Sequence, residues 1–255
     1  MRFQIRFLFC WPVLKNKPLK ATITLILLAV LSLTACQKEQ LSIPVNNAEL
    51  CKMQTANPAG RSYSADSIID YTCTSTHCGV LPLNSRNYWV YEDSIFQDGV
   101  FMQVRFDTLR FTRTQKSLTD DLVWWESNLT IGLPEKLYAN DSAIYKMEDR
   151  MFTQGVKDVK KEYGMFAGDS TRYLSGFQDA AAITRSLKNT NTYNSRAGSF
   201  SETIYIEKNA RNYRRDQVIF KPGIGVLRYV QEKAPMGTRI IKLQQISNLV
   251  SFHIE

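Results

Sequence analysis

Short runs of alternating apolar residues, parted by glycine turns, restrict this chain to antiparallel sheet. Val100, Met102, Val104 and Phe106 alternate with Gln103, Arg105 and Asp107. A period of two puts each set on its own face of a strand. The run predicts a half-buried strand with the apolar set inward and one wet face. Upstream, Trp89, Tyr91 and Ile95 share a parity that Asp93 interrupts, and Gln97-Asp98-Gly99 supplies a hairpin turn. Leu122–Ile131 gathers Val123, Trp125, Leu129 and Ile131 on one side. Ser201–Glu207, Ile224–Glu232 and Thr238–Ile246 read as further strands, separated by Lys221-Pro222-Gly223 and Ala234-Pro235-Met236-Gly237. Asp179–Lys188 reads as a helix with Asp179 as its cap, and residues 147–170 fit neither period. The expected fold is mainly β: an antiparallel curved sheet, forming a half-barrel or sandwich, with one or two short helices.

The N-terminus is different in kind. Ala21–Leu31 is apolar and uncharged, behind Arg2, Arg6, Lys15, Lys17 and Lys20. Eleven helical residues span about 16 Å, too short for a hydrocarbon core of ~30 Å. The segment therefore reads as a signal peptide. It also explains the charge. Lys+Arg is 32 against 24 Asp+Glu, but without the leader the balance falls to 27 against 24, so no nucleic-acid partner is expected.

Leu33-Thr34-Ala35-Cys36 resembles the bacterial lipobox. The resemblance implies cleavage before Cys36 and acylation of that residue, with several chains giving stable anchoring in a membrane. Three parts are expected: a lipoprotein signal peptide at 1–35, a lipidated flexible tether at 36–62 and a β-rich globular domain at 63–255. The tether is polar, with Pro44, Pro58 and Gly60 and no sustained period. By resemblance to enterobacterial sorting, Gln37 rather than Asp implies the outer membrane. Lys38-Glu39 resembles the short charged export signal of Bacteroidota surface lipoproteins, so the periplasmic face and the cell surface both stay open.

Ala197-Gly198-Ser199-Phe200, Tyr205-Ile206-Glu207 and Pro222-Gly223-Ile224-Gly225 resemble an AGxF and PGxG pattern of uncharacterised Bacteroidota outer-membrane lipoproteins, which Asn87–Tyr91 also fits. The resemblance implies a β-rich envelope domain and no known activity. The glycines read as fold geometry, a bend or bulge. Five Asp-Ser/Thr motifs resemble the substrates of Bacteroidota glycosylation, making Ser67, Ser94, Thr108, Ser142 and Ser170 candidate sites. By parity Ser94 faces solvent, while Thr108 shares the side of Val104 and Phe106. Asp-Ser pairs that start turns are the alternative account.

Little else points to chemistry. Cys51, Cys73 and Cys78 with His77 could make a zinc site, but adjacent His-Cys ligands chelate awkwardly and an oxidising envelope favours a disulfide. Cys73–Cys78 is the first choice, with Cys51 pairing to either as the alternative. No metal or cofactor is expected. His77 and His253 are the chain's two histidines, and no Gly-x-Ser-x-Gly elbow occurs, which argues against a histidine-based hydrolase. Asp120-Asp121 and Glu148-Asp149 could supply paired carboxylates or a calcium site, although adjacent acids are usually solvated. Trp124 and Trp125 must point to opposite faces of a strand, so with Trp89 they are candidate ligand platforms unless two layers cover them. Lys208–Arg215, with Arg211, Arg214 and Tyr213, reads as a solvated loop or as a hairpin tip for anionic headgroups.

The functional expectation is a non-catalytic, lipid-anchored outer-membrane protein whose β-rich domain binds a ligand, hydrophobic or glycan, or serves a structural role. The first alternative is a carrier with a hydrophobic half-barrel, and the second is a hydrolase using acidic residues. A hollow apolar interior would mark the carrier. Two carboxylates facing across a groove would mark the hydrolase.

Overall fold

The computed structural model describes residues 51–255 apart from 74, 165–169, 178 and 179. The expected signal peptide, Cys36 and the first part of the tether lie outside the described residues. The strands are β1 Cys51–Met53, β2 Ser62–Ser64, β3 Ile68–Tyr71, β4 Thr76–Cys78, β5 Tyr88–Gln97 and β6 Val100–Ser117. They continue with β7 Val123–Ser127, β8 Lys136–Ala139, β9 Ala143–Asp149, β10 Val156–Gly164, β11 Ser170–Phe177 and β12 Ala180–Asn189. The last six are β13 Tyr193–Ser195, β14 Gly198–Phe200, β15 Thr203–Ala210, β16 Arg214–Lys221, β17 Gly225–Lys233 and β18 Lys242–His253.

Fourteen of these strands form one antiparallel sheet in the order β11-β12-β15-β16-β17-β18-β5-β6-β7-β8-β9-β10-β2, with β3 also paired to β6. The sheet is open rather than closed into a barrel. β6 links its two halves. Residues 100–110 pair with β5, and residues 111–116 pair with β7 on the other side.

The helix expected at Asp179–Lys188 is not formed. Ala180–Asn189 is β12, with Ala182, Thr184 and Ser186 buried at a period of two. β11 and β15 pair with it on either side. That pairing overrides the weak helical preference of its alanines. A 3-10 turn at Ala65–Ser67 is the single helical element among the described residues. The ambiguous stretch from 147 is the end of β9, a turn and β10.

Residues 51–62, expected as part of the tether, instead pack on the domain. β1 runs parallel to β4, Gln54 and Pro58 are buried, and β2 pairs with β10. Asn140 Nδ2 donates to the Ala56 carbonyl at 2.9 Å, and the Gly60 N–H donates to the Val159 carbonyl at 3.0 Å. Composition pointed to a tether because this cover is held by backbone bonds and a few contacts rather than by a periodic apolar face.

That cover creates a second core. The larger cluster gathers Trp89, Tyr91, Leu109, Phe111, Trp125, Ile206, Val218, Phe220 and Leu227 on the inner face. The smaller one holds Tyr63, Leu122, Trp124, Tyr138, Tyr145 and Val159 on the other face of β7–β10, with Ala56 and Ile68 packed against it. The half-buried alternation expected at the start of β6 is not formed, because residues 100–106 are exposed on both parities. Val100, Met102, Val104 and Phe106 are 48–66% exposed, while Leu109 and Phe111 of the other parity are buried.

The Pro-Gly-x-Gly motif is fold geometry, as its glycines suggested. Gly225 has φ +126°, and a Cβ there would lie 3.1 Å from Leu81 Cδ1 and 3.4 Å from Trp89 Nε1. The close approach lets Trp89 Nε1 donate to the Ile224 carbonyl at 2.8 Å and the Tyr91 hydroxyl donate to the Val226 carbonyl at 2.8 Å.

Candidate functional site

The inward rows of several strands change from apolar to polar at the same end of the sheet. In β15, Ile204 and Ile206 are followed inward by Lys208; in β16, Phe220 and Val218 are followed by Asp216. In β5, Trp89 and Tyr91 are followed by Asp93. Strand register sets these groups side by side. Thr184 lies opposite Lys208, Lys208 opposite Asp216, Asp216 opposite Gln231, and Gln231 opposite Gln245. A neighbouring row sets Tyr229 opposite Ser247 and Ser247 opposite Asp93.

β10 meets this polar layer through side chains. Tyr173 of β11 donates its hydroxyl to the Glu162 carbonyl at 2.7 Å and accepts from the Gly164 N–H at 2.9 Å. Lys208 Nζ donates to Glu162 Oε1 at 2.6 Å. Lys146 of β9 donates to Glu148 at 2.6 Å and to the Gly176 carbonyl at 3.0 Å. Arg214 holds Asp216 with two bonds of 2.8 and 2.7 Å and also donates to the Tyr229 hydroxyl. Lys208 and Arg214 both lie 4.6 Å from the centre of the Phe177 ring. Lys146, Glu162, Phe177, Lys208, Arg214 and Asp216 line an open cleft of about 560 Å³, with Pro134, Tyr163 and Lys157 among its other walls.

Burial sets the electrostatics. It lowers the Lys208 ammonium, which the adjacent Glu162 only partly offsets. Burial also raises the Asp216 carboxyl, against the pull of Arg214. At Glu148 burial acts upward, but hydrogen bonds from Lys146 and Lys160 outweigh it and the carboxyl is lowered. Glu162 is buried, and its Oε2 has no hydrogen-bond donor among the described residues. Asp93 is fully buried, and burial raises its carboxyl to about 6. Its neighbour Asp107 pushes the same way, whereas the Ser247 hydroxyl opposes the shift.

Of the residues singled out in the sequence, Glu148, Asp149, Lys208 and Arg214 line this cleft, in roles other than those expected. Trp89, Trp124 and Trp125 are each at most 1% exposed, so none is a ligand platform. The Lys208–Arg215 stretch is not a headgroup-binding tip. Lys208 is buried, Arg214 turns onto Asp216, and Arg215 pairs with Glu232. Asp120 accepts from Arg61 and Tyr63, Asp121 pairs with Lys116, Asp149 with Lys157, and Glu148 with two lysines, so these acids serve ion pairs.

Cys73 is a free thiol, so the Cys73–Cys78 bridge is not formed. Its Sγ lies 3.4 Å from His77 Nε2, and Trp125 Nε1 donates to His77 Nδ1 at 3.2 Å. Cys51 opens β1 beside β4, where Met53 lies opposite Cys78.

Among the glycan candidates, Ser94 lies opposite Val104 and Thr108 opposite Val90, on the same outer face. Thr108 therefore shares the face of Ser94, against expectation, because Val104 and Phe106 point outward. Ser67 Oγ donates to the Ser64 carbonyl at 2.7 Å, and the Ser142 hydroxyl and N–H both bond Asn140 Oδ1. The Ser170 side chain lies outside the described residues.

What sequence reading missed is the inward charge. Asp93 was visible as a break in an apolar parity. Lys208 and Asp216 carry the same signal at the ends of the Ile204-Ile206 and Phe220-Val218 rows, hidden there by a basic stretch that reads as surface.

No protein-family model matches the chain, and no curated protein matches it. Among solved structures, the chain is similar to a Parabacteroides distasonis protein described as a "putative lipoprotein". The identity is 9%, the TM-score is 0.34, and the match covers 69% of this chain and 99% of that one.

Proposed function

We propose that this chain is a lipid-anchored lipoprotein of the bacterial outer membrane, whose β-rich domain is a non-catalytic binding domain for a polar, glycan-class ligand. The anchor reading rests on Leu33-Thr34-Ala35-Cys36 behind a short apolar segment. The single observation that carries the ligand reading is the charge-lined cleft around Glu162. Glu162 Oε2 itself is buried and lies 3.7 Å from Lys146 Nζ, so Glu162 acts by holding the two lysines of the cleft wall. Arg214, Lys208 and the face of Phe177 suit hydroxyls, anionic substituents and the apolar face of a sugar ring. A hydrophobic cargo finds no such match, because the inner face is filled by packed side chains and the cleft wall is ionic.

Two experiments test the two halves. Labelling with a fatty-acid analogue should mark the wild type and not Cys36→Ser. Calorimetric titration with envelope oligosaccharides, from lipopolysaccharide and from peptidoglycan, should show binding that weakens at least tenfold in Glu162→Gln. Binding to neither, or binding that ignores the substitution, would end the glycan reading. We further infer that Cys51 and Cys78 form a disulfide, supported by the free thiol at Cys73 and the pairing of β1 with β4.

A further inference from the structure

Five basic and five acidic side chains line the cleft, and they mostly hold one another. Glu162 takes Lys208, Glu148 and Glu162 take Lys146, and Asp149 takes Lys157. Lys136 lies 3.9 Å from Glu126. The side chains of Lys146 and Lys208 are 11% and 4% exposed, so neither ammonium is open to a ligand.

Arg214 differs. Its Nε and Nη2 donate to Asp216 at 2.8 and 2.7 Å, and Nη2 also donates to the Tyr229 hydroxyl at 3.2 Å. Nη1 keeps two N–H groups that meet no acceptor among the described residues. The side chain is 27% exposed at the cleft. Its position is set in advance. Arg214 and Asp216 are two residues apart in β16, on one face of the strand, and the guanidinium carbon lies over the Phe177 ring at 4.6 Å. A donor already held in place loses little freedom when a ligand arrives.

Charge narrows what Nη1 accepts. A guanidinium bonds a carboxylate about twice as strongly as a neutral oxygen. A polyanion is disfavoured, because the lining is balanced and Glu135, an acid of that lining with no basic partner among the described residues, is exposed. One carboxylate is the charge that fits. The second N–H of Nη1 then meets an ether or hydroxyl oxygen beside it.

We propose that the cleft selects a saccharide bearing one carboxylate, and that Arg214 Nη1 holds that group. The proposal rests on the reading of the cleft as a glycan site and adds the ligand's charge and the residue that reads it. Asp216 and Tyr229 are positioning residues for Arg214.

Calorimetric titration of the full chain in mild detergent tests this. The probes are the N-acetylglucosamine–N-acetylmuramic acid disaccharide, which carries one carboxylate, and the same disaccharide with that carboxyl reduced to an alcohol. The wild type should bind the acid form about tenfold more tightly, the scale of one hydrogen bond to a charged group. Arg214→Lys should lose the preference, because its single nitrogen stays with Asp216. Arg214→Gln combined with Asp216→Asn should lose it too and leaves no carboxylate unpaired at residue 216. Circular dichroism checks that both are folded, and the wild-type comparison of the two disaccharides needs neither variant. Equal binding of the two forms would overturn the inference and leave the glycan reading standing. A preference that survives in both folded variants would overturn the role of Arg214. Binding of neither disaccharide would overturn the inference as well, and titration with the lipopolysaccharide oligosaccharide then decides whether the glycan reading stands without it.

Discussion

Trp124 and Trp125 are neighbours in β7, and each is buried in a different hydrophobic cluster. Trp125 packs edge-on against Phe111, with ring centres 6.3 Å apart, inside the larger core. Trp124 packs edge-on against Tyr63 at 6.1 Å, beneath the cover formed by the N-terminal part of the domain. Two layers are therefore needed at β7, and residues 54–64 supply part of the second.

Replacing Tyr63 with alanine should open that layer. Removing a large buried aromatic costs about 3–5 kcal/mol, and here it also strips the Trp124 ring of its edge contact. Urea unfolding should show the loss, and tryptophan emission of the folded variant should shift to the red. A change within about 0.5 kcal/mol would show that the cover is not packed in solution.

The thiols should divide one and two. Mass-tagging of unreduced, denatured protein from the envelope should find one free thiol among Cys51, Cys73 and Cys78, and none in Cys73→Ala. Cys78→Ala should lower stability by about 3 kcal/mol, the scale for cutting a loop of this size. Three tags on the wild type would refute the pairing.

Asp93 should make the domain more stable in mild acid than at neutral pH. Burial raises its folded pKa to about 6, above the ordinary value of 3.8. Between those values the folded state binds more protons than the unfolded one, so stability falls as pH rises. The groups facing it are Asp107, Arg105, Ser247 and Gln245. Asp93→Asn should remove that slope and stabilise the protein at pH 7.5 by on the order of 1–3 kcal/mol. Thermal melts of both proteins across the range check it, and parallel slopes would count against it.

At the cleft, one half of a buried ion pair should be worth less than none. Lys208→Met leaves Glu162 with a weaker set of donors and should cost about 3–5 kcal/mol. Lys208→Met with Glu162→Leu should recover much of that, because neither charge remains to be desolvated. A double variant as unstable as the sum of its parts would show that the pair is not coupled.

Gly225→Ala should be poorly tolerated. Its φ of +126° and the 3.1 Å approach to Leu81 leave no room for a methyl group. Strain and overpacking together should cost about 1–3 kcal/mol, read as a drop in melting temperature.

Class and strand placement were legible because period-two alternation is local. β5, β6, β15 and β17 all lie where parity and turns put them. Which face is inward was not local. Trp89 and Val104 are both apolar at regular parity, yet one is 1% and the other 48% exposed, since only tertiary pairing decides what covers a face. β12 failed for a related reason: Ala180–Ala182 has no side chain large enough to declare a strand period against its alanine content. The cleft was less legible still. Lys208 and Glu162 are far apart in sequence and meet only because β10 comes up against β11 and β12, and β12 pairs with β15.

The position of β1 and β2 at the start of the described chain has a mechanical consequence. A pull applied at Cys51 is borne first by the parallel β1–β4 pair and then by the antiparallel β2–β10 pair. Neither belongs to the continuous ladder from β11 to β7. Under load the segment over Trp124 is released from that end first, and the pull passes through β10, a wall of the cleft. A crosslink between β1 and β4 would set how much force that release takes.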